Sequence, residues 1–285
     1  MTLLQAILLG IVQGITEFIP ISSTAHLVLA SRVMSLSLTP EQLTASIAVV
    51  QLGTLLAVFI YFARDIWNIT IAFIRDHLNL LKRSSGSGPR LSHDAWLGWL
   101  VIIGSIPVGV IGLLFKKQIE GTFTKNLWVI ATMMVVIAVL LAIAELVSRK
   151  RRGMEQLGLG DSLAVGFAQC LALIPGSSRS GSTIMAGLFA GETRETAARF
   201  SFLLSMPAIA ASGLLELKQA LHILPHDSLI TLAAGTVVAA IVGYASIWFL
   251  LRFLRTHTTG VFIGYRLIVG GAILIMLFMG RISAL

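Results

Sequence analysis

GFAQCLALIPGSSRSGST, residues 166–183, decides how this chain must be read. A short apolar run meets Pro175 and then a loop of small polar residues around one arginine, Arg179. Residues 10–26, GIVQGITEFIPISSTAH, repeat the pattern: Gly-x-x-Gln, apolar residues, then Pro-x-Ser-Ser. Aligned on Pro20 and Pro175, the serines coincide and Thr24 falls opposite Arg179; aligned on the glutamines, the prolines part by one residue. Each copy opens one half of a chain that is otherwise hydrophobic helix.

The 285 residues are 56% hydrophobic and only 12% charged. A soluble domain carries roughly 25% charged residues, so this is an integral membrane protein. The net charge of +8 sits in short loops between apolar segments, the pattern that orients helices in a bilayer. No basic stripe interleaved with aromatics occurs, so no nucleic-acid partner is expected. The single cysteine, Cys170, excludes an intramolecular disulfide and reads as a small apolar packing residue. The apolar N-terminus lacks a basic n-region and is not read as a cleaved signal peptide.

A span needs about 20 apolar residues. Six segments are read as spans: 47–62, 95–115, 127–147, 200–217, 229–251 and 261–279. Four more, 3–15, 26–33, 163–174 and 183–190, are too short or too polar to cross alone. They form two pairs, each folded about a Pro-x-Ser-Ser loop, and each pair is read as a re-entrant hairpin. Irregular backbone at that depth must be buried in protein or line a wet cavity. The expected fold is therefore an all-α integral membrane protein of a single membrane domain, residues 1–285. Its internal repeats, 1–150 and 160–285, each hold one hairpin and three spans, giving six spans and four short re-entrant helices. Three spans per half invert the second repeat, and inverted repeats place their site near the midplane between them. One side holds thirteen lysines and arginines, the other six. The richer side is expected to be cytoplasmic, with both termini and the first hairpin's mouth outside. Residues 82–90, KRSSGSGPR, read as a flexible cytoplasmic loop.

Two basic residues, Arg179 and Arg266, lie at membrane depth, with Glu17 the one carboxylate well inside a hairpin. Ionisable groups there point to function. Gln13 and Glu17 are four apart and share a helix face. If the first tip turns at residues 20–23, Glu17 and His26 occupy facing arms beside Ser23, a set suited to acid–base or nucleophilic chemistry. Ser22, Ser23 and Thr24 compete for the role of cap on the second arm. The second tip is different. Ser177, Ser178, Ser180 and Gly181 expose hydroxyls and N–H groups ahead of a helix, a setting for anions. Arg179 adds a fork of donors matched to phosphate. Mg²⁺ is held by one or two carboxylates plus phosphate oxygens, so the two tips together would complete a metal-assisted phosphoryl site. Gln51 either ties helices together or reaches substrate; Arg266 either snorkels or adds a second positive charge for a diphosphate. Pro107 and Pro207 are expected to open room beside the hairpins.

QGITEFIPISSTAH and PGSSRSGST resemble the two signatures of the bacterial undecaprenyl-diphosphate phosphatase family, the bacitracin-resistance type. The blocks IAVVQLGTLLAV, IIGSIPVGVIGLLF, FSFLLSMPAIAASG and GYRLIVGG extend the resemblance over nearly the whole chain. It implies hydrolysis of the lipid-carrier diphosphate to the monophosphate at the outer face of the bacterial plasma membrane, recycling the carrier for the cell wall and giving bacitracin resistance. It implies a divalent cation, Mg²⁺ or else Ca²⁺, on Glu17 and Gln13, which match a Glu/Gln-x-x-x-Glu element. Ser23 and His26 match its nucleophile and general acid or base, and Arg179 its phosphate-binding arginine. Ser22, Thr24, Gln51, Ser177, Ser178, Ser180, Gly181 and Arg266 make up the expected substrate-binding set. Gln13 is the neutral choice at its position, and Ala25 stands where glycine is expected. The expected partners are a polyprenyl diphosphate and the membrane, with a homodimer as the assembly to test. The rival reading is a lipid-phosphate flippase or anion transporter, which would need anion binding but neither nucleophile nor general acid.

Overall fold

The computed structural model describes residues 1–36, 38–81, 91–115, 126–224 and 226–284. Regular structure among them is helical: α1 (Leu3–Phe18), α2 (Ser23–Val33), α3 (Pro40–Tyr61), α4 (Ala63–Leu81), α5 (His93–Leu114), α6 (Leu127–Val147), α7 (Leu159–Cys170), α8 (Arg179–Phe189), α9 (Arg194–Ile223), α10 (His226–Thr256) and α11 (Gly260–Phe278). Among the described residues, six helices are long and apolar enough to cross a bilayer: α3, α5, α6, α9, α10 and α11. The 127–147 boundary matches its expectation. α9 is longer than the apolar run 200–217 because Thr193 caps it at Thr196 N and polar turns extend both ends. The loop expected over 82–90 lies outside the described residues.

α4 is the helix the apolar-run reading passes over. Its charged residues break the hydropathy, yet Trp67, Ile71, Ile74 and Leu78 recur on one exposed face, the spacing of an amphipathic helix. Phe73 and His77 hold it to α5, where Trp99 Nε1 donates to His77 Nε2 at 3.1 Å.

The halves interlock crosswise. α1 packs on α10, and α7 packs on α5. Glycines permit both approaches. A β-carbon on Gly10 would run into the Gly235 carbonyl, and one on Gly166 into the Gly104 carbonyl. Close backbone approach through small residues is how helices pack where lipid supplies no hydrophobic drive. α3 meets α9 and α6 meets α11.

Ion pairs close one end of the bundle. Glu145 at the end of α6 accepts from Arg194 and from Thr259 Oγ1 at 2.8 Å. Arg199 meets Asp65 at 2.5 Å, and Arg255 meets Glu195 at 2.7 Å. Arg152 forks onto both oxygens of Asp161 and also donates to the Ala190 carbonyl at 3.1 Å. Beside it Glu192, between α8 and α9, is fully buried with neither oxygen hydrogen-bonded among the described residues. Burial first, and the Asp161 charge second, push its carboxyl up to about 7, against the pull of Arg152.

Candidate active site

The two short helix pairs are built alike. At 1.5 Å per residue α1 reaches roughly 24 Å and α2, α7 and α8 roughly 17 Å, against a hydrocarbon core of about 30 Å. α2 and α8 each hold 11 residues. Ser22 caps α2 by accepting from Ala25 N, and Ser178 caps α8 by accepting from Gly181 N. Both serines stand at positive φ, 81° and 67°. This strained region for a non-glycine residue collects at functional turns. Each pair leaves through another positive φ, at Ser35 and Gly191.

This geometry selects the glutamine register over the proline register. Gln13 precedes its capping serine by the same step as Gln169 precedes Ser178, so Ser23, not Thr24, is the counterpart of Arg179. The prolines slip because α7 ends at Cys170 and tightens into a 3₁₀ turn over Leu171–Leu173, whereas α1 runs on to Phe18.

The tips meet. Arg179 Nη2 donates to Glu17 Oε1, with 18% of the arginine side chain and 4% of the carboxylate side chain exposed. Glu17 Oε2 accepts from Gln13 Nε2 at 3.0 Å. That amide also donates to Thr54 Oγ1 at 3.3 Å, and Thr54 donates to the Gln51 carbonyl at 2.7 Å. The ion pair faces a cavity of about 670 Å³. Gln13, Glu17, Ser22, Ser23, Thr24, Gln51, Ser178 and Arg179 line its polar part. Its apolar wall includes residues just past the helix prolines, Val108, Gly109 and Gly112 on α5 and Ala208 and Ala211 on α9, together with Leu27 and Val28 on α2 and Ile47 on α3. The cavity therefore has a charged floor and an oily side, suited to an amphiphile with an anionic head.

Five expected site residues stand elsewhere. His26 is not on the cavity wall. Its Nδ1 lies 2.7 Å from the Ser22 carbonyl, which can only accept, so Nδ1 carries a proton, and Nε2 lies 2.7 Å from the Tyr265 hydroxyl. The imidazole braces the turn that carries Ser23 and stacks on Tyr265. Arg266 neither snorkels nor reaches the cavity. It is fully buried, donating to the carbonyls of Met134, Met133, Pro20, Gly176 and Ser177 at 3.0–3.3 Å. One guanidinium thus stitches both tip loops to α6. Buried loop carbonyls need donors, and an arginine, rich in N–H groups, supplies them there. Ser177 is buried behind the wall, and the Gly181 N–H is already taken by the Ser178 cap. Ser180 faces a small recess behind the ion pair, beside Phe202 and Ser205.

The polar floor fits a divalent cation only in part. Gln13 Oε1 is buried with no hydrogen-bond partner among the described residues, an acceptor held beside a carboxylate. No cluster of three His, Cys, Asp or Glu side chains converges among the described residues. Glu17 and Gln13 can thus supply two oxygens, and the remaining ligands of a hard cation must come from substrate or water.

A family model described as bacitracin resistance protein BacA matches residues 6–272. This chain belongs to that family. The undecaprenyl-diphosphatase of Syntrophobacter fumaroxidans is 52% identical over 280 residues, covering 98% of each chain. That of Mycolicibacterium gilvum is 49% identical over 288 residues, covering all of both. With six bilayer-length helices, this member of the BacA family is a multi-pass membrane protein.

Proposed function

We propose that this protein hydrolyses undecaprenyl diphosphate to the monophosphate and phosphate, recycling the lipid carrier and conferring bacitracin resistance. The observation that carries the site assignment is the Glu17–Arg179 pair, which joins the two signature loops on the floor of a half-apolar cavity. A flippase or anion transporter needs the arginine and the cavity but has no use for a serine nucleophile lining the same cavity as a buried carboxylate.

In this reading the diphosphate displaces Glu17 from Arg179 and takes the guanidinium fork, with the Ser178 side of the α8 N-terminus beside it. The polyprenyl chain lies along α5 and α9. The Ser23 oxygen attacks the terminal phosphorus, the bridging P–O bond breaks, and undecaprenyl phosphate leaves with the bond electrons. Water then cleaves the phosphoserine and releases phosphate. His26, one turn along α2, accepts the serine proton at Nε2 after parting from the Tyr265 hydroxyl. Thr24 and Gln51 contact the head group from the cavity wall. Glu17 and the Gln13 amide oxygen would hold a divalent cation, Mg²⁺ or Ca²⁺, which neutralises charge on the diphosphate oxygens.

The shared build of the two helix pairs, and the crossed packing of α1 on α10 and α7 on α5, support two inverted repeats with re-entrant hairpins. The charge bias supports a cytoplasmic ion-paired end and a cavity open to the periplasm. Cysteine at Ser35 should then react with an impermeant thiol reagent in intact cells, and cysteine at Thr258 only after lysis, both with Cys170→Ala. The opposite labelling would reverse the orientation.

The function itself is tested by phosphate release from undecaprenyl diphosphate by the purified protein in detergent, with and without chelator. Release that stops with chelator and returns with Mg²⁺ is expected. No release under any metal would remove the assignment.

A further inference from the structure

Gln169 sits on α7 with 1% of its surface exposed, and neither its Nε2 nor its Oε1 has a hydrogen-bond partner among the described residues. It lines the same cavity as Glu17 and Arg179. A buried amide left without partners costs roughly 1–3 kcal/mol. Nothing about its packing requires a polar residue there, since an apolar side chain of similar size would fill the space without that cost.

Its counterpart Gln13 shows what differs. Gln13 has Glu17 one helical turn on, and that carboxylate occupies its Nε2 at 3.0 Å, leaving only an acceptor free. The residue one turn past Gln169 is Leu173, which offers no acceptor. The first amide is therefore turned into an oxygen donor toward a cation, while the second keeps its N–H₂ free beside the arginine loop. We propose that Gln169 is a substrate-binding residue whose Nε2 donates to a non-bridging oxygen of the diphosphate, completing on α7 the grip that Arg179 makes from α8. This rests on the diphosphatase reading of the cavity.

The test uses the full-length protein in detergent with Gln169→Leu and the isosteric Gln169→Glu. A hydrogen bond to a charged group predicts that Gln169→Leu lowers kcat/KM roughly 10- to 100-fold. Because it removes an unsatisfied buried amide, the same variant should melt no lower than wild type. A residue with a merely structural role would lower both together. Inorganic pyrophosphate should raise the melting temperature of the wild type and raise that of Gln169→Glu much less, because a carboxylate there repels the anion. That second measurement decides the matter if Gln169→Leu does not fold. Wild-type kcat/KM in Gln169→Leu, a loss of activity that tracks a loss of stability, or an undiminished pyrophosphate shift in Gln169→Glu would overturn the proposal. A wild-type protein that releases no phosphate would instead overturn the function on which it rests.

Discussion

The two tip loops share a frame and differ in their chemistry. Both end in a capping serine at positive φ, both follow a buried glutamine at the same distance, and both are pinned by Arg266 through their carbonyls. Within that frame Glu17 stands where the second loop has Leu173, and Ser23 where it has Arg179. The backbone frame is alike, and the side chains make one tip anionic with a serine and the other cationic. In the proposed reaction each tip supplies what the other lacks. There the pairing of unlike tips, not either motif, is the functional unit, and Glu17 meets Arg179 across it.

The largest effect expected is at the cationic tip. Arg179→Ala should lower kcat/KM about 10³-fold and Arg179→Lys about 10²-fold, because preorganised donors on a developing anion carry that much in a water-poor site and an ammonium cannot reproduce the fork. Steady-state phosphate release checks both. Near-normal activity in the lysine variant would reduce Arg179 to a charge partner of Glu17. A smaller effect separates the two roles open to His26. If its Nε2 handles the serine proton, His26→Ala should cost about 10²-fold in kcat, whereas Tyr265→Phe, which frees Nε2, should change kcat by less than about threefold. Equal losses in both would mean that the imidazole only braces the loop.

The far ends of the two pairs also differ, and there the effect is on stability. Glu192 follows the turn after α8 and is fully buried, its carboxyl pushed up from 4.5 to about 7. A proton stays on the folded protein up to that pH but leaves the unfolded chain near 4.5. Below 4.5 both states hold it. Between the two values the folded state binds more protons, so stability falls as pH rises, by about 3 kcal/mol in all. Glu192→Gln should flatten that decline, so that the variant melts above wild type at pH 8 and level with it near pH 4.5. A variant that melts below wild type at pH 8 would show that the carboxylate has a partner when charged.

Much of this was legible beforehand. Unbroken apolar runs mark the six long helices because crossing hydrocarbon leaves the composition little freedom. The proline and serine punctuation marks both tips. Four features were not legible, each for a physical reason. α4 carries the charged pairs Arg64–Asp65 and Arg75–Asp76, which break its apolar run, though its stripe of Trp67, Ile71, Ile74 and Leu78 could have revealed it. The loop register depends on a 3₁₀ turn over Leu171–Leu173, which no residue there announces. The fate of Arg266 depends on carbonyls of Pro20 and Gly176, remote in sequence, that need a donor. An arginine at membrane depth signals importance, but not whether it serves substrate or scaffold. Gln169 carries the same letter as Gln13, and its burial without a partner is visible only in three dimensions.

The central claim is that Glu17 and Arg179 act as one unit across the two loops. A double-mutant cycle on kcat/KM with Glu17→Gln and Arg179→Lys tests it most directly. If each single variant loses roughly 10²-fold or more, the account predicts a double variant little worse than the poorer single one, because contacting groups in one unit are not additive. Losses that multiply, to roughly 10⁴-fold or beyond, would mean that the two residues work independently, and would contradict the single shared site.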